Sequence, residues 1–191
     1  KILKSLLNIG KIILYKKSIK RKSIYLTGIE KLKIMHENKS LEKDDVLIKV
    51  NSCGICSSDL KFYFTGSRIK KFPIILGHEI SGTIIDIDKK QKLRETNKKI
   101  VFGAEVACGK CETCIKSKKD TNLCDEPTSI GSNYNGGFSN FFIIKKTILK
   151  KIPHVIYKSN SEIKYAALSE SLACIVNGLE ITNFKKKHKV A

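Results

Sequence analysis

Four closely spaced cysteines are the residues whose spacing points most directly to chemistry. Cys108, Cys111 and Cys114 recur at every third position, and Cys124 follows after nine intervening residues. Gaps of two residues let successive thiolates bind one ion, and four thiolates give zinc a tetrahedral cage with no position for substrate. The spacing therefore predicts a structural zinc site. Disulfides or unrelated buried thiols are the alternatives. Disulfides are uncommon in the cytosol and nothing here resembles a secretory signal, so we expect a cytoplasmic protein.

A thiol, an imidazole beside a carboxylate, and a hydroxyl form a second candidate constellation. Cys56 and Ser58 directly follow a predicted strand, and the pair His78-Glu79 precedes another. Each has an ordinary structural alternative, because a lone histidine is more often a surface or core residue than a ligand. Cys53 could be a small core residue, or the spacing Cys53-x-x-Cys56 could belong to a zinc ribbon. The set as a whole favours a second metal site.

The elements that would position these residues are mostly short strands. Many short strands separated by Gly and Asn turns predict a closed or partly closed β-barrel. A helix is predicted over about residues 161–179, with a capping-box pair, Ser159 and Glu162, at its start. The predicted strands cover residues 23–27, 32–35, 45–50, 80–87, 99–103 and 137–144.

Residues 1–22 are interpreted as a basic, amphipathic extension, because apolar residues recur there at helical spacing with lysines between them. A targeting peptide, a membrane-surface helix or a helix that packs on the next domain would each fit this pattern. We expect residues 23–160 to form the zinc-binding domain. Residues 161–191 are expected to form a helix and the start of a further domain.

The charge balance is strongly basic, with 37 lysines and arginines, 18 acidic residues and a formal net charge of +19 over 191 residues. Such a balance permits nonspecific association with nucleic acid or anionic membranes. Aromatic residues do not interleave with the basic ones as a stacking platform for single strands requires. No apolar run approaches the roughly 20 residues of a membrane helix. We therefore expect no specific nucleic-acid partner and no transmembrane segment.

Together, the motifs resemble the zinc-dependent medium-chain alcohol dehydrogenases. Their order is segment 54–59, then Gly77-His78-Glu79, the four cysteines, and Gly136-Gly137-Phe138. Segment 166–173 resembles the part of the family that supplies another zinc ligand, and its carboxylate indicates the polyol and threonine dehydrogenase branch. The resemblance covers about residues 23–179. It implies a mainly β protein with short helices, built as a GroES-like, partly open β-barrel catalytic domain.

The resemblance also implies roles for individual residues. Cys56, His78 and Glu170 would hold a catalytic zinc, with Glu170 replacing one cysteine of the two-cysteine, one-histidine site known in alcohol dehydrogenase. Glu79 would sit behind the metal and could enter its coordination sphere. Asp59 would orient His78 through the other ring nitrogen. Ser58 would relay the substrate's proton.

The implied chemistry is the oxidation of a secondary alcohol, either a polyol or an amino alcohol. Zinc is a Lewis acid that lowers the pKa of an alcohol, and hydride would pass to NAD or NADP. The expected cofactors are two zinc ions per chain, one catalytic and one structural, and a nicotinamide dinucleotide. The expected partner is a small alcohol, and the full-length enzyme is expected to be a homo-oligomer.

Three features depart from the family pattern. No Gly-x-Gly-x-x-Gly turn occurs, so we expect a catalytic domain whose Rossmann domain is missing or truncated, and a chain inactive by itself. The gap between Cys114 and Cys124 is two residues longer than usual, and Ser171 replaces the usual proline after Glu170.

The alternative interpretation is a noncatalytic, zinc-stabilised β-barrel module that binds a protein or polyanion. A third is nucleic-acid binding through the cysteine lobe and its lysines.

Overall fold

The computed structural model describes residues 18–85, 97–116, 123–157 and 163–185. It has ten strands, two of them in a long N-terminal hairpin, and a few short helices. The strands are β1 (Ser18–Gly28), β2 (Lys31–Ser40), β3 (Asp45–Cys53), β4 (Ile74–Ile75), β5 (Ile80–Ile85), β6 (Lys99–Phe102), β7 (Glu105–Val106), β8 (Thr128–Ser129), β9 (Phe141–Lys145) and β10 (His154–Tyr157). The helices are α1 (Ser57–Thr65), α2 (Glu112–Lys116), α3 (Lys146–Leu149), a 3-10 helix (Ile163–Leu168) and α4 (Ser169–Ile181).

The strands form three sheets whose neighbours all pair antiparallel. The largest has the order β10-β6-β5-β3-β9, the second has the order β2-β1-β4, and β7 pairs with β8. This arrangement confirms the predicted fold class, which is mainly β with short helices. Among the described residues, no helix combines the length and hydrophobicity needed to cross a bilayer.

Most predicted strands coincide with observed ones, and the differences lie at their ends. β1 begins at Ser18, so residues 18–22 belong to the sheet and not to the predicted N-terminal extension. The segment predicted as a strand over residues 137–144 becomes a strand only at Phe141. Residues 1–17, residues 86–87 and the capping-box pair Ser159 and Glu162 lie outside the described residues.

Two clusters of buried apolar side chains hold the strands and helix α1 together. The larger is centred on fully buried Ile48 of β3, Ile100 of β6 and Ile144 of β9. The smaller joins Leu26 of β1 to Phe62 of α1, together with Ile74 and Leu76 around β4. Because α1 and the chain after β4 share this second cluster, their ends are held side by side. Those ends carry the candidate metal ligands.

A buried arginine ties the two strands of the N-terminal hairpin. Arg21 is only 5% exposed, and its guanidinium donates to Glu37 Oε1 through Nε at 2.9 Å and through a terminal nitrogen at 2.8 Å. The hydroxyl of Tyr25 donates to the same oxygen at 2.7 Å. Burial opposes ionisation of Glu37, but the hydrogen bonds from Tyr25 and Arg21 outweigh it and hold the pKa of Glu37 below its usual value.

Helix α4 packs little of its apolar surface on the barrel. The preceding 3-10 helix contacts β3 and β5 and buries Ala167. In α4 itself, Leu172 is 57% exposed and Ile175 is 60% exposed, and Val176 and Leu179 are also exposed. The predicted helix is therefore present as a 3-10 turn followed by α4. Only the N-terminal part of α4, with Glu170, Ser171 and Cys174, reaches the candidate site.

Candidate metal centres

The four cysteines predicted to bind structural zinc do converge. Their sulfur atoms all lie within 4.8 Å of one another. Cys108 Sγ lies 4.0 Å from Cys114 Sγ, and Cys111 Sγ lies 3.9 Å from Cys124 Sγ. A tetrahedron with zinc–sulfur bonds of about 2.3 Å has edges of about 3.8 Å, so the spacing suits zinc. All four cysteines are free, and the longer gap before Cys124 does not keep it out of the cluster.

Backbone N–H groups donate hydrogen bonds to several of these sulfurs. The amides of Lys110 and Cys111 donate to Cys108 Sγ at 3.4 and 3.3 Å, and the amide of Cys108 donates to Cys124 Sγ at 3.2 Å. The bonds from Lys110 and Cys111 lower the pKa of Cys108 to about 6. The pKa of Cys114 is instead raised to about 12, because a backbone bond from Gly109 lowers it but the hydrogen bonds shared with the other three cysteines and burial together raise it more. Because the thiolate is the form that binds metal, the lowered pKa of Cys108 favours metal binding at that sulfur.

A second cluster forms where the start of α1 meets the chain between β4 and β5. Cys56 precedes α1, and one donor atom from each of Cys56, His78 and Glu79 lies within 4.8 Å of the others. His78 is 7% exposed and Glu79 is 6% exposed, while Cys56 is half-buried. Sulfur, imidazole nitrogen and carboxylate oxygen are the donor types of three-residue catalytic zinc sites. The residues present therefore fit such a metal.

Asp59 connects the two ligand-bearing segments. Its Oδ2 accepts a hydrogen bond from the backbone N–H of Cys56 at 3.0 Å, and its Oδ1 accepts one from the N–H of Gly77 at 3.1 Å. Oδ1 also lies 3.8 Å from His78 Nδ1, which is longer than a hydrogen bond. The carboxylate thus fixes the backbone beside both ligands. Its predicted hydrogen bond to the imidazole is not formed in this arrangement.

Glycines let two segments pack closely against each other beside His78. Gly77 has a φ of +88°, which favours glycine, and a Cβ there would lie 2.5 Å from the ring of Phe138. Gly136 faces it so closely that a Cβ would lie 2.2 Å from Gly77 O. The amide of Gly137 donates to Gly77 O at 2.8 Å. The Gly136-Gly137-Phe138 motif therefore shapes the loop that carries His78.

Glu79 is held from two sides. Its Oε2 lies over the backbone of Gly54, where a Cβ would come within 1.8 Å of it. Its Oε1 accepts a hydrogen bond of 3.0 Å from the hydroxyl of Ser171, in the first turn of α4. Cys53, next to Gly54, joins neither cluster within the described residues, so a zinc ribbon through Cys53 and Cys56 is not formed. Burial, and then the charges of Asp59 and Glu79, raise the pKa of Cys53 to about 12.

Glu170 lies near the second cluster without joining it. It lines a cavity of about 680 Å³ that His78 and Ser58 also line. Its Oε1 accepts a hydrogen bond of 3.8 Å from Cys174 Sγ. The structure thus groups Cys56 and His78 with Glu79, and places Glu170 in the lining of a cavity that His78 also lines. The assignment of Glu170 as a zinc ligand stays a prediction.

Ser58 offers a hydroxyl to this cavity. Its oxygen is buried, and it makes no hydrogen bond within the part of the chain that the structure describes. Most buried polar groups in proteins are paired, so an unpaired hydroxyl beside a candidate metal site indicates a place for a ligand group. The role of Ser58 as a relay for the substrate's proton stays a prediction.

Comparison with known proteins decides the family. Residues 42–154 match the alcohol dehydrogenase GroES-like domain. The chain belongs to this family. It is 31% identical over 134 residues to D-altritol 5-dehydrogenase of Agrobacterium fabrum, which covers 70% of this chain and 38% of that protein. It is 31% identical over 147 residues to D-arabitol-phosphate dehydrogenase of Enterococcus avium, covering 76% of this chain and 38% of that protein.

Solved structures show the same fold. Galactitol-1-phosphate dehydrogenase from Escherichia coli superposes with a TM-score of 0.69 at 22% identity, over 85% of this chain and 45% of that one. The chain therefore spans less than half the length of each of these three proteins.

Sequence reasoning missed two polar residues at the site, both beyond the residues 42–154 that match the family domain. Ser171 was noted only as a replacement for proline, although a hydroxyl in place of proline adds a donor. Cys174 follows Glu170 by four residues on a predicted helix, a spacing that puts both on one face and could have placed the thiol beside the carboxylate. Burial, and then the Glu170 charge, raise the pKa of Cys174, so it faces Glu170 as a neutral donor.

Proposed function

We propose that this chain is the catalytic domain of a zinc-dependent dehydrogenase that oxidises a secondary alcohol with transfer of hydride to NAD or NADP. The observation that carries the proposal is the grouping of Cys56, His78 and Glu79 beside a cavity with the unpaired hydroxyl of Ser58. Three mixed protein ligands are typical of catalytic zinc, whereas four thiolates are typical of structural zinc. The residues that the structure describes contain one candidate of each kind.

In this proposal, Cys56, His78 and Glu79 would hold the catalytic metal. Glu170, which lines the same cavity as His78, would be a further ligand. Zinc, when bound, supplies a Lewis acid that lowers the pKa of an alcohol hydroxyl. Asp59 keeps the backbone on both sides of the site in place through its two backbone hydrogen bonds. Ser58 accepts the proton of the substrate hydroxyl and passes it toward solvent.

The proposed substrate is a polyol or an amino alcohol. The Glu170 carboxylate and the names of the related dehydrogenases, which refer to D-altritol and D-arabitol phosphate, support this class. The dinucleotide would bind outside these residues, because they contain no Gly-x-Gly-x-x-Gly turn to hold its pyrophosphate. We therefore propose that the 191 residues alone do not turn over an alcohol. The complete enzyme is proposed to be a cytoplasmic homo-oligomer.

Metal analysis of the folded chain tests the two-site proposal. We expect two zinc ions per chain. Cys56→Ala should remove one ion and leave the fold intact. Cys111→Ala should remove the other and destabilise the lobe, because structural zinc contributes directly to folding. Circular dichroism of each variant separates loss of metal from loss of fold. One zinc in the parental chain, retained in Cys56→Ala, would contradict the catalytic site and favour a noncatalytic module.

A further inference from the structure

We propose that Ser171 is a positioning residue that holds the carboxylate of Glu79 in the metal cluster. This inference rests on the proposed function, because it assumes that Cys56, His78 and Glu79 bind the catalytic metal. It concerns a position at which this chain departs from the family pattern, which has proline where Ser171 stands. A proline side chain has no hydroxyl and cannot donate the hydrogen bond.

The contact joins parts of the chain that are far apart in sequence. Ser171 Oγ donates to Glu79 Oε1 at 3.0 Å across 92 residues. Glu79 is 6% exposed, so little water reaches its carboxylate. Within the described residues, this is the one hydrogen bond recorded for that carboxylate. Removal of the hydroxyl would leave a buried anionic oxygen without its donor.

The second oxygen of Glu79 is positioned by the backbone. Oε2 occupies the space above Gly54 that a side chain would fill, and the N–H of Gly54 donates to the Glu79 carbonyl at 2.9 Å. The backbone thus fixes the base of the side chain, and the Ser171 hydroxyl fixes its end. Because the Glu79 side chain is held at its base and at its carboxylate, it is oriented before a metal binds. Partners of this kind, one step removed from the metal, commonly determine metal affinity.

The contact also anchors the first turn of α4 to the barrel. Ser171 follows Glu170 directly, and Glu170 lines the cavity. The same hydrogen bond therefore sets the distance between Glu170 and the cluster. Loss of the bond would affect both carboxylates, one by direct contact and the other through the helix.

Cobalt(II) is a suitable probe, because its visible absorption reports the ligands around it. We would fill the four-cysteine site of the 191-residue chain with zinc and titrate cobalt into the second site. Ser171→Ala and Ser171→Pro should weaken cobalt binding about ten- to a hundredfold, the usual effect of losing such a partner. Both should also change the absorption bands. Proline is compatible with the first turn of a helix, so Ser171→Pro is a second variant expected to fold.

Two control variants distinguish positioning from general packing. Ser171→Thr keeps a hydroxyl and should retain the parental affinity and bands. Ser169→Ala removes a hydroxyl from the same helical turn, but that hydroxyl donates to the carbonyl of Ala166 at 2.6 Å and not to Glu79. It should therefore behave as the parental chain does.

The outcomes separate this inference from the proposed function. If Ser171→Ala and Ser171→Pro keep the parental affinity and bands while Glu79→Ala alters both, the positioning role is wrong and the metal site stands. If the parental chain takes up no cobalt beside its zinc, or if Cys56→Ala leaves cobalt binding unchanged, the proposed catalytic site fails and this inference fails with it.

Discussion

Replacing Gly136 with alanine should disturb the second metal site without touching any of its ligands. A Cβ at this position would lie 2.2 Å from Gly77 O and 2.5 Å from Leu76 O. Both are backbone atoms, so a side-chain rotation cannot relieve the overlap. To restore ordinary contact at about 3.4 Å, the two segments must separate by about 1 Å. His78 follows Gly77 and would move with it.

The separation should lower both the unfolding free energy and the affinity for metal. The amides of Gly136, Gly137 and Phe138 donate to carbonyl oxygens of residues 75–77 at 2.7 to 3.0 Å, and an added 1 Å stretches these bonds beyond useful length. Overpacking of this kind costs about 1–3 kcal/mol, and the reduced freedom of the unfolded chain offsets about 0.4–1 kcal/mol. We expect a net loss of roughly 1–2 kcal/mol in unfolding free energy.

Metal binding should suffer more, because metal–ligand distances tolerate deviations of only about 0.2 Å. Urea unfolding and zinc content at buffered free zinc would measure both effects. Gly136→Ala should keep the four-cysteine zinc and lose the second ion under conditions that saturate the parental chain. Gly178→Ala is the matched control: a Cβ there meets nothing within 4 Å, and alanine favours the helix. A Gly136→Ala chain with parental stability and two zinc ions would refute the close approach described here.

Two further predictions concern proton transfer and acid stability. With the chain joined to a dinucleotide-binding domain, Ser58→Ala should lower kcat by about 10²–10⁴, the range for a positioned proton-transfer group, with zinc content unchanged; full activity would reassign the relay. Glu37→Gln should lower the unfolding free energy by about 1–3 kcal/mol at pH 7, because it removes the anionic partner of buried Arg21. Since the folded-state pKa of Glu37 lies below its usual 4.5, its contribution is complete above pH 4.5 and is lost as pH falls through the lower value. The difference between parental and variant chains should therefore shrink below pH 4.5, and a difference that stays constant on acidification would contradict this.

The parts of the site that depend on local spacing could be predicted from sequence. Cys108, Cys111, Cys114 and Cys124 lie within one short segment, so their convergence follows from turn geometry and the preference of zinc for four thiolates. The grouping of Cys56 with His78 was predicted from their residue types, which together favour a metal site, and from the family resemblance. Spacing alone could not show that β3, β5 and the second apolar cluster bring the two residues together.

Long-range contacts could not be predicted. Nothing in the sequence near Glu79 indicates that a hydroxyl 92 residues later would donate to it, because the contact depends on where the 3-10 helix places α4. Helix α1 was not predicted either. It buries only Asp59 and Phe62, so it lacks a continuous apolar stripe. Its ends are instead fixed by the Asp59 bond to the Cys56 amide and by Gly66 in a left-handed C-cap.

A movement at the far end of helix α4 can shift the residues that α4 contributes to the candidate metal site. Its 13 residues span about 20 Å, with Glu170 and Ser171 at one end and an uncovered apolar stripe along the rest. If the helix pivots about its middle, a shift of about 1 Å at the far end moves Ser171 by a similar distance in the opposite direction. A hydrogen bond of 3.0 Å does not survive such a shift. Under the proposed function, a contact at the far end of α4 would therefore alter the coordination of the proposed metal without touching it.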